Sequence, residues 1–218
     1  MKLATAVILV VASAVFPRQQ PAPAPPDALP EGFVLHEEQK SQFTIALPKG
    51  WVAYDQSKMF GGKGNSQFNL IFFYLSPNPA PQEEMSVELI RKIDSGEISS
   101  FFVQKLPAKN GMSCAGFPEK AEKNVFKLVT DDPMFGKGAT IVEAPRSEPI
   151  SVAGCKGIRI LGTGKPAKGD TPQTTDVHAA SDGQILYLFT LRGTADNYKK
   201  NTEVFQKAIA TARLTAAK

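Results

Sequence analysis

Residues 174–214 read TTDVHAASDGQILYLFTLRGTADNYKKNTEVFQKAIATARL, and the fold is decided here. Two runs of strand-forming residues, 174–181 and 184–192, flank Asp182-Gly183. Asp-Gly between alternating apolar runs is the strongest short hairpin signal, because a tight hairpin turn needs residues that accept a positive φ. In the second run Ile185, Tyr187, Phe189 and Leu191 share one face, and Leu186 and Leu188 fill the other. A strand apolar on both faces is predicted to be buried on both. The period then changes. Tyr198, Thr202, Phe205, Ile209 and Ala212 recur at alternating spacings of four and three, the stripe of an amphipathic helix over 195–213. A hairpin followed by such a helix predicts an antiparallel sheet with a helix docked on it.

Upstream, Ala153-Gly154 separates residues 150–152 from 155–161 as a second hairpin. Residues 119–130 (EKAEKNVFKLVT) read as a helix, with Pro118 suited to its first turn and Ala121, Val125, Leu128 and Val129 on one face. Residues 82–95 read as another, with Met85, Leu89 and Ile93 in a stripe, Glu83 and Glu84 at the favoured end of the dipole, and Gly96 as a stop. Residues 43–47 alternate as a strand, Pro48-Lys49-Gly50 turns the chain, and residues 51–54 return as its hairpin partner. Residues 61–65 are a flexible turn, and 67–75 (QFNLIFFYL) a central, two-sided strand. Residues 101–106 fit strand or helix equally. Strands joined by hairpins, with two or more helices that each need a sheet face, predict an α+β fold: an antiparallel sheet sandwiched between helices, α/β/α.

The chain has 218 residues, 42% of them hydrophobic, which suits one globular domain and excludes wholesale disorder. Its start is different. Lys2, the apolar run 3–11 and Ala12-Ser13-Ala14 are in the order of a signal peptide cleaved after Ala14. The apolar stretch ends at Phe16, short of the roughly 18–20 residues that span a bilayer. Residues 17–32 (PRQQPAPAPPDALPEG) favour extended polyproline II and serve most simply as a spacer. The expected organisation is a signal peptide at 1–14, a Pro-rich linker at 15–32 and a single domain at 33–218. The expected destination is secreted or periplasmic, with no transmembrane segment after cleavage.

FTIALPKGW (43–51), GQILYLFTLRG (183–193) and DNYKKNTEVFQKAIATARL (196–214) resemble the opening hairpin and the closing strand and helix of the PsbP-like superfamily, the extrinsic photosystem protein PsbP and its exported bacterial relatives. The resemblance implies a non-enzymatic binding or accessory role. It covers about a quarter of the domain and assigns no site residue. Residues 97–149 depart from the pattern and read as an insertion or a distinct subfamily.

Few residues here can carry chemistry. No G-x-S-x-G is present, and the two histidines are His36 and His178. Asp176 and His178, two apart on a strand, share a face as a base and its orienter would, but a solvated surface pair is the simpler account. Gly157 and Gly162 have P-loop spacing, yet Thr163 stands where Lys is required and Pro166, Gly169 and Pro172 prevent a following helix, so GTGK (162–165) reads as a turn. The acidic pairs Glu37-Glu38, Glu83-Glu84 and Asp131-Asp132 lack the alternation of a calcium loop. Neither a catalytic set, a metal site nor a cofactor site is expected.

The loop DDPMFGKGA (131–139) is read as a binding loop through Met134, Phe135 and Lys137, against the simpler account that Met134 and Phe135 tuck into the core. Residues 1–100 carry eight basic and ten acidic groups, and 101–218 carry seventeen and eleven. Lys120, Lys123 and Lys127 share a helix face, which suits an anionic surface or an envelope or extracellular protein as partner. Nucleic-acid binding lacks any motif and conflicts with export. Cys114 and Cys155 are the only cysteines, and export takes them where disulfides persist, so a structural bridge is expected. The function expected is an exported, monomeric, non-catalytic binding or accessory domain. The alternative is an enzyme or small-ligand carrier with an unrecognised site.

Overall fold

The computed structural model describes residues 29–38, 43–49, 51, 53–55, 69–74, 87–132, 134–167 and 169–214. The expected signal peptide, the linker up to residue 28, the turn at 61–65 and the side chains of the 67–75 strand lie outside the described residues. In chain order the elements are β1 (Phe33–Glu38), β2 (Phe43–Pro48), β3 (Ala53–Asp55), β4 (Asn69–Tyr74), α1 (Val87–Asp94), β5 (Ser100–Pro107), α2 (Glu119–Thr130), β6 (Thr140–Val152), β7 (Cys155–Lys165), β8 (Gln173–Ser181), β9 (Ile185–Gly193), α3 (Ala195–Thr211) and β10 (Arg213–Leu214). They form two antiparallel sheets, a large one in the order β3-β4-β5-β9-β8-β7-β6 and a small one in the order β1-β2-β10.

The two-sided pattern of β9 places it in the middle of the large sheet. Tyr187, Phe189 and Leu191 point to one face, where they join Phe205 and Ile209 of α3 and Phe43 and Ile45 of β2. Leu186 and Leu188 point to the other, with Val177 and Ile158, against Ala121, Val125 and Val129 of α2. Phe205 is 1% exposed, mid-stripe as its spacing predicts. The small sheet and α3 therefore share one face of the large sheet, tied together where Ala46 N donates to Thr211 Oγ1 at 2.7 Å. Helices alone do not make the layers: the second sheet is a feature that the single-sheet expectation lacked.

Other differences follow from strand partners. Residues 43–48 and 53–55 do not form a hairpin with each other, because β2 pairs with β1 and β10 while β3 pairs with β4 in the large sheet. The 67–75 strand is second from an edge, not central. Residues 100–107, which fitted strand or helix, are a strand between β4 and β9. Residues 162–165 are not a turn; they continue β7. The two glycines there serve packing. A Cβ on Gly164 would overlap the Met134 carbonyl oxygen, and one on Gly162 would press on the Phe135 ring at 3.2 Å.

Cys114 and Cys155 form the expected disulfide, with Cα atoms 4.3 Å apart. It fastens the segment between β5 and α2 to the tip of the β6–β7 hairpin, beside the hydrogen bond from Lys156 N to Cys114 O. Ala153 and Gly154 both hold positive φ, at 54° and 78°, in the predicted turn.

Candidate functional site

Two places gather polar side chains. The first lies between β8 and α3. Antiparallel register puts Glu148, Arg159 and His178 in one cross-strand row, with Asp176 two residues along β8 on the same face. Arg159 grips Asp176 with two parallel bonds, Nε to Oδ1 at 2.8 Å and Nη2 to Oδ2 at 2.9 Å. Tyr198 of α3 donates to Oδ2 at 2.9 Å, and His178 Nε2 lies 3.2 Å from Oδ1. Burial pushes the Asp176 carboxyl up, but the hydrogen bonds from His178 and Arg159 outweigh it and hold the group at about 2. Burial raises the Tyr198 phenol above its usual range.

The sequence pair Asp176 and His178 is thus brought together, but it is not the solvated pair expected. The Asp176 side chain has no exposed surface, and the His178 ring sits edge-on against Phe205, 5.1 Å between centroids. A base and its orienter need a reachable substrate atom. Here α3 closes over them, and every oxygen of Asp176 is committed internally. The cluster fastens α3 to the sheet.

The second place is on the opposite face, where α1 and the end of α2 leave the sheet partly uncovered. Two adjoining cavities of about 230 and 280 Å³ share Phe102, Gln104, Asp132 and Arg192. The floor is three cross-strand rows: Thr175–Arg192–Ser100, then Val177–Thr190–Phe102, then Leu188–Gln104. Ile93 and Asp94 of α1 form one wall, and Leu128, Val129 and Met134 the other. Arg192 is fixed at the centre. Its Nη2 donates to Asp132 Oδ2 at 2.9 Å, its Nε to Thr175 Oγ1 at 3.3 Å, and its guanidinium lies 5.6 Å over the Phe102 ring. Asp132 is held in turn by Met134 N, which donates to Oδ1 at 3.0 Å. Arg192 Nη1, the Gln104 amide and the Thr190 hydroxyl have no side-chain partner among the described residues.

The expected binding loop divides. Met134 and Phe135 are 5% and 9% exposed, packed in the second core cluster over Gly162 and Gly164, while Lys137 is exposed. Met134 nonetheless lines the groove. The basic face of α2 is largely neutralised, Lys123 by Glu119 and Lys127 by Asp131, both at 2.6 Å. Among the described residues no three His, Cys, Asp or Glu side chains are grouped to hold a metal, and no helix is long and apolar enough to cross a membrane. Sequence reading missed the groove because its polar groups come from β5, β8 and β9 and meet only through register.

No protein-family model and no curated protein matches the chain. Solved structures are similar to it. Cyanobacterial PsbP (CyanoP) from Synechocystis sp. PCC 6803 is similar over 84% of this chain and 92% of its own, at 12% identity and a TM-score of 0.46. Protein PA94 of Pseudomonas aeruginosa, of unknown function, is similar over 82% and 94%, at 11% identity and a TM-score of 0.42. LpqN of Mycobacterium tuberculosis, involved in cell envelope biogenesis, is similar over 91% and 87%, at 8% identity and a TM-score of 0.37. PsbP is also the family that the sequence motifs resemble. These likenesses concern the course of the chain and transfer no residue role.

Proposed function

We propose that this chain is an exported, non-catalytic binding module of PsbP-like fold, a single domain at 33–218 that follows a cleaved signal and a spacer, and that it binds through the groove over β5, β8 and β9. The observation that carries it is the contrast between the two polar places. Asp176 and His178, the residues fit for acid–base work, are sealed beneath α3. Arg192, Gln104 and Thr190 keep polar groups uncommitted on the floor of a mostly apolar cleft. A few convergent polar groups in an apolar cleft are what ligand recognition requires, and the two cavities together reach the roughly 300–1,000 Å³ of small-molecule sites. The leader-like N-terminus and the disulfide support export.

The experiment is an NMR titration of the ¹⁵N-labelled chain with a library of small uncharged and charged fragments. Shifts are expected to cluster at Gln104, Thr190 and Arg192. Clustering at Asp176 and His178, or turnover of ester or glycoside reporters, would replace this reading with the enzymatic one.

A further inference from the structure

The groove also specifies a ligand chemistry. Resting on the reading of the groove as the binding site, we propose that it takes an uncharged amphiphile: an apolar body with an ester, amide or hydroxyl head, of the kind found in a monoacylglycerol. Charge is the first reason. Arg192 and Asp132 pair at 2.9 Å, and Lys127 and Asp131 at 2.6 Å, so the charges around the groove cancel in twos. Asp94, exposed on the rim, is the lining charge that remains. An anionic head would meet a guanidinium already neutralised and a rim that repels it. A cationic head would meet only a solvated, salt-screened carboxylate.

Hydrogen bonding is the second reason. Arg192 Nη1, the Thr190 hydroxyl and the Gln104 amide stand on three successive rows of the floor. A pure hydrocarbon would strand all three away from water, which is unfavourable for every group left unpaired. A head bearing carbonyl and hydroxyl oxygens satisfies them, with Arg192 donating to an oxygen and Gln104 and Thr190 free to donate or accept. The third reason is the walls. Ile93, Leu128, Val129 and Met134 line them with apolar side chains above Leu188 of the floor, and of these Leu128 is 41% exposed on its helix, as a side chain awaiting cover would be.

The test uses the full chain and three twelve-carbon probes kept below their micelle concentrations: 1-monolauroylglycerol, laurate and dodecyltrimethylammonium. Calorimetry gives affinity and NMR gives location. Monolauroylglycerol is expected to bind at least ten-fold tighter than either ionic probe and to shift Gln104, Thr190 and Arg192. Thr190→Val and Gln104→Leu are each expected to weaken it about five-fold, as loss of one neutral hydrogen bond does, with the melting temperature unchanged or raised, because neither group has an internal partner. Laurate or the ammonium binding as tightly overturns the ligand chemistry while the groove stands. If none of the three shifts the groove but the fragment library does, the ligand chemistry again falls alone; silence to both removes the groove as a site. Variants that lose stability but not affinity show that the two side chains serve packing, and overturn the proposal.

Discussion

A carboxylate without exposed surface is strongly unfavourable unless its oxygens are filled, and Asp176 fills both, with Arg159, Tyr198 and His178. Its folded pKa, lowered from 3.8 to about 2, sets a pH window. Stability from this group is complete above pH 4 and is lost as pH falls toward 2, by about 2 kcal/mol in all. Urea unfolding across that range is expected to show the loss in the wild type. Asp176→Asn should flatten it while lowering stability at neutral pH by roughly 3–5 kcal/mol, since Arg159 keeps its charge without its buried partner. An Asn variant as acid-sensitive as the wild type would place the titration elsewhere. The pair spacing of Asp176 and His178 was legible in the sequence. Their burial was not, because the covering helix begins well beyond them and Arg159 and Tyr198 arrive through register and docking. Gly164 teaches the converse. In the sequence it belongs to an apparent turn, but it is a notch in a strand that admits the Met134 carbonyl. Gly164→Ala is therefore expected to lift the 131–139 loop, costing on the order of 1–3 kcal/mol as overpacking does. A melting temperature equal to the wild type would show that the loop yields freely.

Elements with strong period were readable, and those defined by partners were not. The α3 stripe gave its buried face correctly, down to Phe205, which meets Phe101 edge-on at 5.2 Å and His178 at 5.1 Å. Phe205→Ala should cost roughly 3–5 kcal/mol, like other large-to-small changes in a core, and a chemical-denaturation loss under about 1 kcal/mol, the scale of surface changes, would refute that face. The β8–β9 and β6–β7 hairpins were equally clear from Asp182-Gly183 and Ala153-Gly154. By contrast β10 has two residues, and its place comes from pairing with Thr44 and Phe43. No local period exists in so short a piece. The apparent hairpin of 43–54 failed for a related reason: Pro48 and Lys49 do turn the chain, but a turn leaves open which sheet receives the next strand. The disulfide was legible because two cysteines behind a leader-like N-terminus leave one pairing. Closing a loop of 41 residues should contribute on the order of 4 kcal/mol in the chain-entropy model. The Cys114→Ser/Cys155→Ser double variant is expected to lose about that much, and hydrogen exchange should rise first in the 108–118 segment that the bridge fastens. An unchanged exchange pattern would mean that the segment is held by Met112 and its neighbours alone.

At the scale of the molecule, the N-terminus and the sheet make separate predictions. If the leader reads correctly, material collected outside the cytoplasm should begin at Val15, and Edman or mass-spectrometric sequencing that finds Met1 on a membrane-bound product would reject cleavage there. The folded part poses a question of cooperativity. It has a core on each face of the large sheet, one with α3 and the small sheet, the other with α2 and the 134–135 loop. Two cores often mean two units, each able to open alone. Here they are built from the same strands: on β9, Tyr187 and Phe189 serve one and Leu186 and Leu188 the other, and on β8, Ala180 and Val177 divide likewise. Opening either face exposes apolar residues on strands that the other still needs, so neither core can be lost without weakening its neighbour. The single tryptophan provides the test. Trp51 packs beside the first core, edge-on to Phe101 at 6.5 Å, so its fluorescence reports that face alone. Far-UV circular dichroism reports both sheets and all helices. The two signals are expected to change with one midpoint in urea, as cooperative unfolding requires. A tryptophan transition at clearly lower urea would show that the small sheet and α3 leave the large sheet as a unit of their own, with Asp176 and His178 exposed and reachable in the partly opened state.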